Sequence, residues 1–135
     1  MPKDKALSYM ALARKAGRIE LGEEPVGKAA QVGKASLILV AADAADHTWR
    51  RAQSFVSGSD QQSIRVDYTK DQLGQTIVRE ALALAAFTDP AMALAFAKSL
   101  EQGCAEVIAQ LEIAVKKSRP AKPGKRKSRS RPGEK

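Results

Sequence analysis

The feature that most constrains the fold is the uninterrupted apolar run from Leu37 to Ala42. Because such a run has no polar face, it predicts a strand that is covered by helices on both sides. The next segments switch period: Asp46 to Val56 repeats apolar residues at helical spacing, and Ile64 to Tyr68 alternates them as a strand does. Leu82 to Phe87 predicts a third strand. This alternation of helices and strands favours the α/β class, as a three-layer α/β/α sandwich around a small mixed sheet.

Helix start and stop signals lie between these predicted strands. Thr69 and Gln72 have the spacing of a capping box, which predicts a helix that begins at Lys70. Asp89 and Pro90 supply an N-cap and a first-turn proline for a helix that runs to about residue 102. The other predicted elements are a first helix over Lys5 to Ala16, an edge strand around Arg18 to Leu21, and a second helix over Gly22 to Val32.

The excess positive charge is confined to the C-terminal segment. Residues 116 to 135 contain ten Lys or Arg and one acid, whereas residues 1 to 115 contain thirteen Lys or Arg and fourteen acids. The net charges are therefore +9 and −1. Beyond Lys117 the chain is almost free of apolar residues, which predicts a disordered basic tail. The predicted division is an α/β/α domain over residues 1–102, an additional helix over 103–117 and the tail over 118–135.

Cysteine and histidine usage limits the possible sites. The single Cys104 cannot form an internal disulfide, and with the single His47 it cannot build a Cys/His zinc site. We therefore expect no metal and no cofactor, and a reducing, cytoplasmic location. No apolar run reaches the roughly 18 residues that a membrane span requires, so we expect no membrane partner.

The segment Gly22 to Ala29 comes within one residue of a nucleotide-binding loop, G-x-x-x-x-G-K-[ST]. Ala29 lacks the hydroxyl that would hold a magnesium ion. Pro25 lacks one of the backbone N–H groups that would surround the phosphates. Glu23 and Glu24 would place carboxylates where a polyphosphate should lie. These departures argue against a nucleotide-hydrolysing enzyme.

The polar residues after the first long strand are the other candidate catalytic groups. Asp43 and Asp46 lie where α/β enzymes place their sites, but we expect them to cap the following helix. His47 has no nucleophile or paired acid at a recognisable spacing. We therefore expect no enzymatic activity and no small-molecule substrate. Trp49 belongs to the apolar stripe of its helix, which predicts a core position rather than base stacking.

A set of short segments in a fixed order resembles a known family. The segments are Leu12 to Arg18, Gly22 to Lys28, Gly33 to Asp43, Leu73 to Gln75 and Ala85 to Asp89. Their order resembles the small kink-turn RNA-binding ribosomal proteins, the archaeal L-seven-Ae group and its bacterial YlxQ-like relatives, over about residues 5 to 100. The resemblance implies a ribosome- or translation-associated protein whose partner is a structured RNA, ribosomal or another kink-turn RNA.

The resemblance also implies roles for residues at the start of the second helix. In the family this helix begins with glycine, followed by Asn-Glu that meet base edges and a Lys that meets phosphate. Gly22 and Lys28 match the pattern, whereas Glu24 stands at the Asn position and Pro25 at the Glu position. An amide that donates and accepts has become an acceptor only. Glu23 and Glu24 are still able to accept guanine N–H groups.

Three further groups of residues complete the predicted RNA-binding surface. The resemblance implies that the loop before the third strand packs an apolar wedge on an extruded nucleotide, and that basic residues converge on the same edge. We expect the tail to add sequence-independent phosphate contacts. The wedge is Val78, Arg79, Glu80 and Ala81; the converging residues are Arg14, Lys15, Arg18, Lys28, Lys34 and Arg79; the tail residues are Lys116, Lys117, Arg119, Lys125, Arg126 and Lys127.

Two other interpretations remain open from the sequence. The basic residues of the domain match ordinary solvated charges on helices, which need no ligand. Glu24 and Pro25 also fit a protein-interaction or structural module that has lost specific RNA readout. In that case the apolar stripe from Val107 to Val115 packs on the domain or on a second copy of the chain.

Overall fold

The structure, a computed structural model, describes residues 5–59, 61–76, 80–100 and 104–118. Helices and strands alternate along most of this length. The helices are α1 (Lys5–Ala16), α2 (Glu23–Gln31), α3 (Asp46–Val56), α4 (Lys70–Thr76), α5 (Pro90–Ser99) and α6 (Ala105–Ser118). The strands are β1 (Ile19–Leu21), β2 (Leu37–Val40), β3 (Gln62–Arg65) and β4 (Leu84–Phe87).

The strands form one four-stranded mixed sheet in the order β1-β4-β2-β3. β4 is antiparallel to both β1 and β2, and β2 is parallel to β3. Every residue of β2 and of β4 is buried, as expected for central strands that are covered on both faces. In the register, Ile19, Phe87 and Leu37 lie side by side across β1, β4 and β2.

The helices form a layer on each side of this sheet. On one side the ring of Phe87 packs against Phe96 of α5, with 5.0 Å between ring centroids. On the other side the guanidinium of Arg65 lies over the ring of Trp49 of α3, 5.8 Å from its centroid. α5 contacts α1 and α6, and α4 contacts α1, whereas α2 contacts α3. The predicted three-layer sandwich is confirmed.

Several of the predicted helix signals act as expected. Thr69 and Gln72 cap α4 reciprocally: the Gln72 N–H donates to Thr69 Oγ1 at 3.1 Å, and the Thr69 N–H donates to Gln72 Oε1 at 2.8 Å. Asp89 caps α5 by accepting a hydrogen bond from the Ala91 N–H at 3.2 Å. Gly33 follows α2 with φ of 76°, a left-handed conformation that glycine adopts without steric cost.

Some element boundaries differ from the sequence prediction. β3 begins and ends earlier than the predicted strand from Ile64 to Tyr68. The alternating pattern extends past its end because Val66 is also buried, and its N–H still donates to the Val40 carbonyl at 2.9 Å. α5 ends at Ser99, short of residue 102, because Leu100 has an extended backbone with ψ of 135°.

The capping role predicted for Asp43 and Asp46 is wrong. The N-cap of α3 is Ala45, and no side chain caps this helix. Asp43 Oδ1 instead accepts a hydrogen bond from the Lys70 N–H at 2.8 Å, at the first residue of α4. The Asp43 carboxylate therefore links the loop between β2 and α3 to the start of α4, which lies in the helix layer on the other side of the sheet from α3.

The additional helix α6 packs on α5. Leu111 is its most buried residue, and Cys104 Sγ lies 3.4 Å from the Ala97 carbonyl oxygen. Burial raises the pKa of the Cys104 thiol, which favours the uncharged form at neutral pH. Residue 103, where the additional helix is predicted to begin, and the tail from residue 119 lie outside the described residues. None of the described helices is long and apolar enough to cross a membrane.

Candidate nucleic-acid interface

The start of α2 lies directly against the start of β4. Gly22 has φ of 93°, and its N–H donates to the Leu84 carbonyl at 3.1 Å. The chain before Leu84 is fixed in turn, because the Ala41 N–H donates to the Ala83 carbonyl at 2.8 Å. The structure therefore brings the second-helix start next to the loop before β4, the two regions that the resemblance implies as RNA contacts. We call this surface, formed by Gly22, Glu23, Glu24, Lys28, Glu80 and Ala81, the α2 edge.

The predicted wedge is described only in part. Its two described residues, Glu80 and Ala81, are exposed. Leu82 follows them and is buried, with its N–H donating to the Lys70 carbonyl at 3.0 Å. This bond anchors the C-terminal side of the loop to the first turn of α4. Val78 and Arg79 lie outside the described residues, as do Arg119, Lys125, Arg126 and Lys127 of the tail.

Glu23, one of the acids at the α2 edge, has a cationic partner on α3. Its carboxylate forms an ion pair with the Arg51 guanidinium. Both side chains are about half exposed, so solvent screens the pair and it contributes less than about 1 kcal/mol to stability. Its importance is local, because the positive charge of Arg51 offsets the negative charge of Glu23. Without that partner, Glu23 would repel a phosphate.

A close approach of an α3 side chain to the backbone of α2 makes this pairing possible. The Phe55 ring of α3 lies against Gly27 of α2, where an added Cβ would be 3.1 Å from the ring. The Arg51 guanidinium lies 6.0 Å from the centroid of the same ring. Glycine at position 27 therefore brings Arg51 within reach of Glu23.

Arg50 and Arg51 are basic residues beside the α2 edge that the sequence prediction missed. With His47, Ser54 and Phe55 they line an open depression of about 720 Å³ beside Glu23. Both arginines are exposed. The available signal was the Arg-Arg pair on the polar side of a helix whose apolar positions face the sheet. That signal is weak, because only the contact between α2 and α3 places these arginines next to the α2 edge.

The residues that depart from the family pattern are accessible. Glu24 and Pro25 are both exposed in the first turn of α2, and Lys28 is exposed further along the helix. Glu24 and Lys28 are separated by four positions, so they lie on the same face of the helix. This face presents one carboxylate and one ammonium group to a ligand.

The remaining basic residues lie at the other end of the sheet. The Thr88 N–H, just after β4, donates to the Arg18 carbonyl at 2.9 Å. Arg18 and Gly22 are thus separated by β1, whose three residues span about 10 Å. Arg14 and Lys15 are in the last turn of α1, next to Arg18. The structure therefore does not bring Arg14, Lys15 and Arg18 to the α2 edge, because β1 carries the chain from one end of the sheet to the other. Arg79, which was predicted to converge with them, lies outside the described residues.

Lys34 also belongs to this second group. With Ser36, Thr88 and Lys117 it lines a cavity of about 320 Å³. The C-terminal end of α6 therefore lies beside the loop between α2 and β2. We call the surface formed by Arg14, Lys15, Arg18, Lys34 and Lys117 the Thr88 end; all five side chains are exposed. Lys116 instead lines a separate depression with Leu94 and Glu112.

No metal site accompanies either surface within the described part of the chain, where no three His, Cys, Asp or Glu side chains group together. The polar group buried nearest the Thr88 end is Gln61. Its Oε1 accepts from the Ala35 N–H at 2.8 Å, and its Nε2 donates to the Ala30 carbonyl at 3.2 Å. Gln61 therefore fixes the loop that carries Lys34.

Known structures share this fold. A protein of unknown function from Bacillus halodurans C matches with a TM-score of 0.63 and 24% identity, over 82% of this chain and 99% of that one. The Giardia lamblia 15.5kD RNA binding protein matches with a TM-score of 0.53 and 20% identity, over 79% of this chain and 84% of that one. No protein-family model matches the sequence, and no curated protein matches it. At these identities the likeness is one of fold.

Proposed function

We propose that this is a non-catalytic RNA-binding protein, associated with the ribosome or with translation, whose α2 edge recognises a structured, kink-turn-like RNA. The observation that carries the proposal is the hydrogen bond from the Gly22 N–H to the Leu84 carbonyl. It holds the helix start and the loop before β4 together, where two separate parts of one folded RNA can be contacted at once. The fold shared with the Giardia RNA binding protein supports the same function.

The α2 edge offers chemistry for both bases and phosphates. Gly22 has no side chain, so an RNA backbone can approach the helix start closely. The Glu24 carboxylate accepts hydrogen bonds and so suits guanine N–H groups. Lys28 and Arg50 supply positive charge for phosphates. The basic tail adds contacts that do not depend on sequence.

A protein-interaction module is the second candidate function. The observation that favours it is the exposure of Glu24 and Pro25 where the resemblance implies an amide and a carboxylate. Pro25 offers no hydrogen-bonding side chain, and Glu23 is already paired with Arg51. In this case the α2 edge has lost base readout and binds another protein.

Filter binding with two RNAs separates these functions. A kink-turn RNA and a straight duplex of equal length are each titrated with protein that lacks residues 119 to 135, so that the tail cannot mask selectivity. We expect the kink-turn RNA to bind at least about tenfold more tightly, a difference of about 1.4 kcal/mol. Equal affinity for the two RNAs would contradict the proposal and favour the interaction module.

Lys28→Ala tests which surface is responsible. The substitution should weaken kink-turn binding, because it removes a cation from the α2 edge. Lys98→Ala is the matched control: Lys98 is exposed on α5, in the opposite helix layer, where it pairs with Glu112 at 3.7 Å. Equal effects of the two substitutions would place the RNA elsewhere on the protein.

A further inference from the structure

The Thr88 end brings together basic residues from separate parts of the chain. Arg18 is joined to Thr88 by a backbone hydrogen bond of 2.9 Å. Thr88 in turn lines the cavity of about 320 Å³ together with Lys34 and Lys117. The turn after α1, the loop after α2 and the end of α6 therefore meet at one surface. Charges spaced along one helix usually reflect a solvated face, but that explanation does not account for cations gathered from three segments.

The surface is held in place by buried polar contacts. Gln61 hydrogen-bonds on both sides of the Lys34 loop, to Ala35 and to Ala30. The nearby acid, Asp89, uses its carboxylate to cap α5 through the Ala91 N–H. The hydroxyl-bearing residues Ser36 and Thr88 line the same cavity as Lys34. A phosphate group placed there would meet ammonium groups and hydroxyl donors, both of which bind phosphate oxygens.

The tail begins at this end of the molecule. α6 ends at Ser118, next to Lys117 in the cavity wall. The sequence that follows, residues 119 to 135, contains eight Lys or Arg and one acid. The tail is therefore joined to the described part of the chain at the Thr88 end.

We propose that the Thr88 end is a second RNA surface, which binds backbone phosphates without regard to sequence. An acidic protein is the competing partner, because it would also be attracted to these cations. It could in addition cover Val32, which is 67% exposed beside this surface. A single exposed apolar residue is common on protein surfaces, whereas the apolar core of a protein interface requires several. Phosphate binding uses the features that are repeated at this end, which are cations from separate segments and the two hydroxyl-bearing residues Ser36 and Thr88 in the cavity wall.

The test measures how plain duplex RNA binding by the full chain depends on salt. Arg18→Gln with Lys34→Gln removes two exposed cations from the Thr88 end. Lys5→Gln with Lys98→Gln removes the same charge from the exposed surfaces of α1 and α5 and serves as the control. Each lost phosphate contact lowers the log–log slope by about 0.7 to 0.9, so we expect a decrease of about 1.4 to 1.8 in the first variant only.

Further arms exclude other causes. Arg18→Lys with Lys34→Arg keeps both charges and should retain the parental slope, which distinguishes lost contacts from a damaged fold. A parental slope in the Arg18→Gln, Lys34→Gln variant, or equal losses in it and the control, would overturn the proposal. So would displacement of the duplex by polyglutamate as effectively as by unlabelled RNA, because an acidic protein would then be the better partner.

The two proposals fail separately. The salt slope is measured on plain duplex RNA, so it reports on the Thr88 end whether or not the α2 edge selects a kink turn. Kink-turn selectivity is measured on protein without residues 119 to 135, and Arg18→Gln with Lys34→Gln should leave the ratio of the two affinities unchanged. If the unsubstituted protein without residues 119 to 135 binds both RNAs equally, the function proposed for the α2 edge is contradicted. The proposal of a second RNA surface is not affected by that result.

Discussion

The two ends of the sheet differ in how their charges are arranged. At the α2 edge, acids and bases are mixed: Glu23 pairs with Arg51, and Glu24 shares a helix face with Lys28. At the Thr88 end the side chains are cations from several segments, and Asp89 is used to cap a helix. Mixed donors and acceptors suit base edges, whereas cations alone suit phosphates. Under the two proposals, the α2 edge would select an RNA and the Thr88 end would add affinity.

The largest expected effect comes from the sheet that both ends share. Leu39 is fully buried in β2, so Leu39→Ala should lower the free energy of unfolding by about 2 to 5 kcal/mol. Urea denaturation measures this change. Leu12→Ala is the control, because Leu12 of α1 is 53% exposed and should tolerate truncation. An unchanged midpoint for Leu39→Ala would mean that the strand is not the common support of the two surfaces.

Deleting residues 119 to 135 should separate the ends by their response to salt. Binding to plain duplex RNA should weaken, and its log–log slope should fall by about 0.7 to 0.9 for every phosphate contact that is lost. The melting temperature should barely change, since the described core residues all lie before the deletion. If affinity and slope both survive, the tail is a passive appendage and the folded domain holds all the phosphate contacts.

Restoring the family pattern tests whether the α2 edge recognises bases. Glu24→Asn with Pro25→Glu supplies an amide that can pair with adenine and a carboxylate that can accept guanine N–H groups. By analogy with readout in duplexes, each good pairing contributes about 1 to 3 kcal/mol. In protein without the tail, kink-turn affinity should rise at least about tenfold, while plain duplex affinity stays the same. No gain in an intact fold would favour the protein-interaction module.

Helix caps give the smallest effects and act on one end each. Thr69 caps α4, which anchors the loop beside the α2 edge, and Asp89 caps α5 beside Thr88. Replacing either by Ala should cost about 1 kcal/mol of stability. Thr69→Ala should in addition reduce kink-turn affinity, and Asp89→Ala should leave it unchanged. Equal RNA effects from the two variants would show that the ends are not independent.

The sequence specified the elements better than their arrangement. The limits of α3 and the capping box at Thr69 were predictable, because periodicity and capping are local properties of the chain. The position of Arg18 beside Thr88 was not, since it depends on β4 pairing with β1. Arg51 was missed for the same reason: its partner, Glu23, lies on a different helix.

β4 sets the distance between the two ends of the sheet. At its first residue the Leu84 carbonyl accepts the Gly22 N–H, and just past its last residue the Thr88 N–H donates to the Arg18 carbonyl. Its four residues extend about 13 Å. Because the strand is buried in the middle of the sheet, substitutions of surface residues would not change this distance. Two RNA segments held by one protein would be kept at a fixed separation, whatever their sequences.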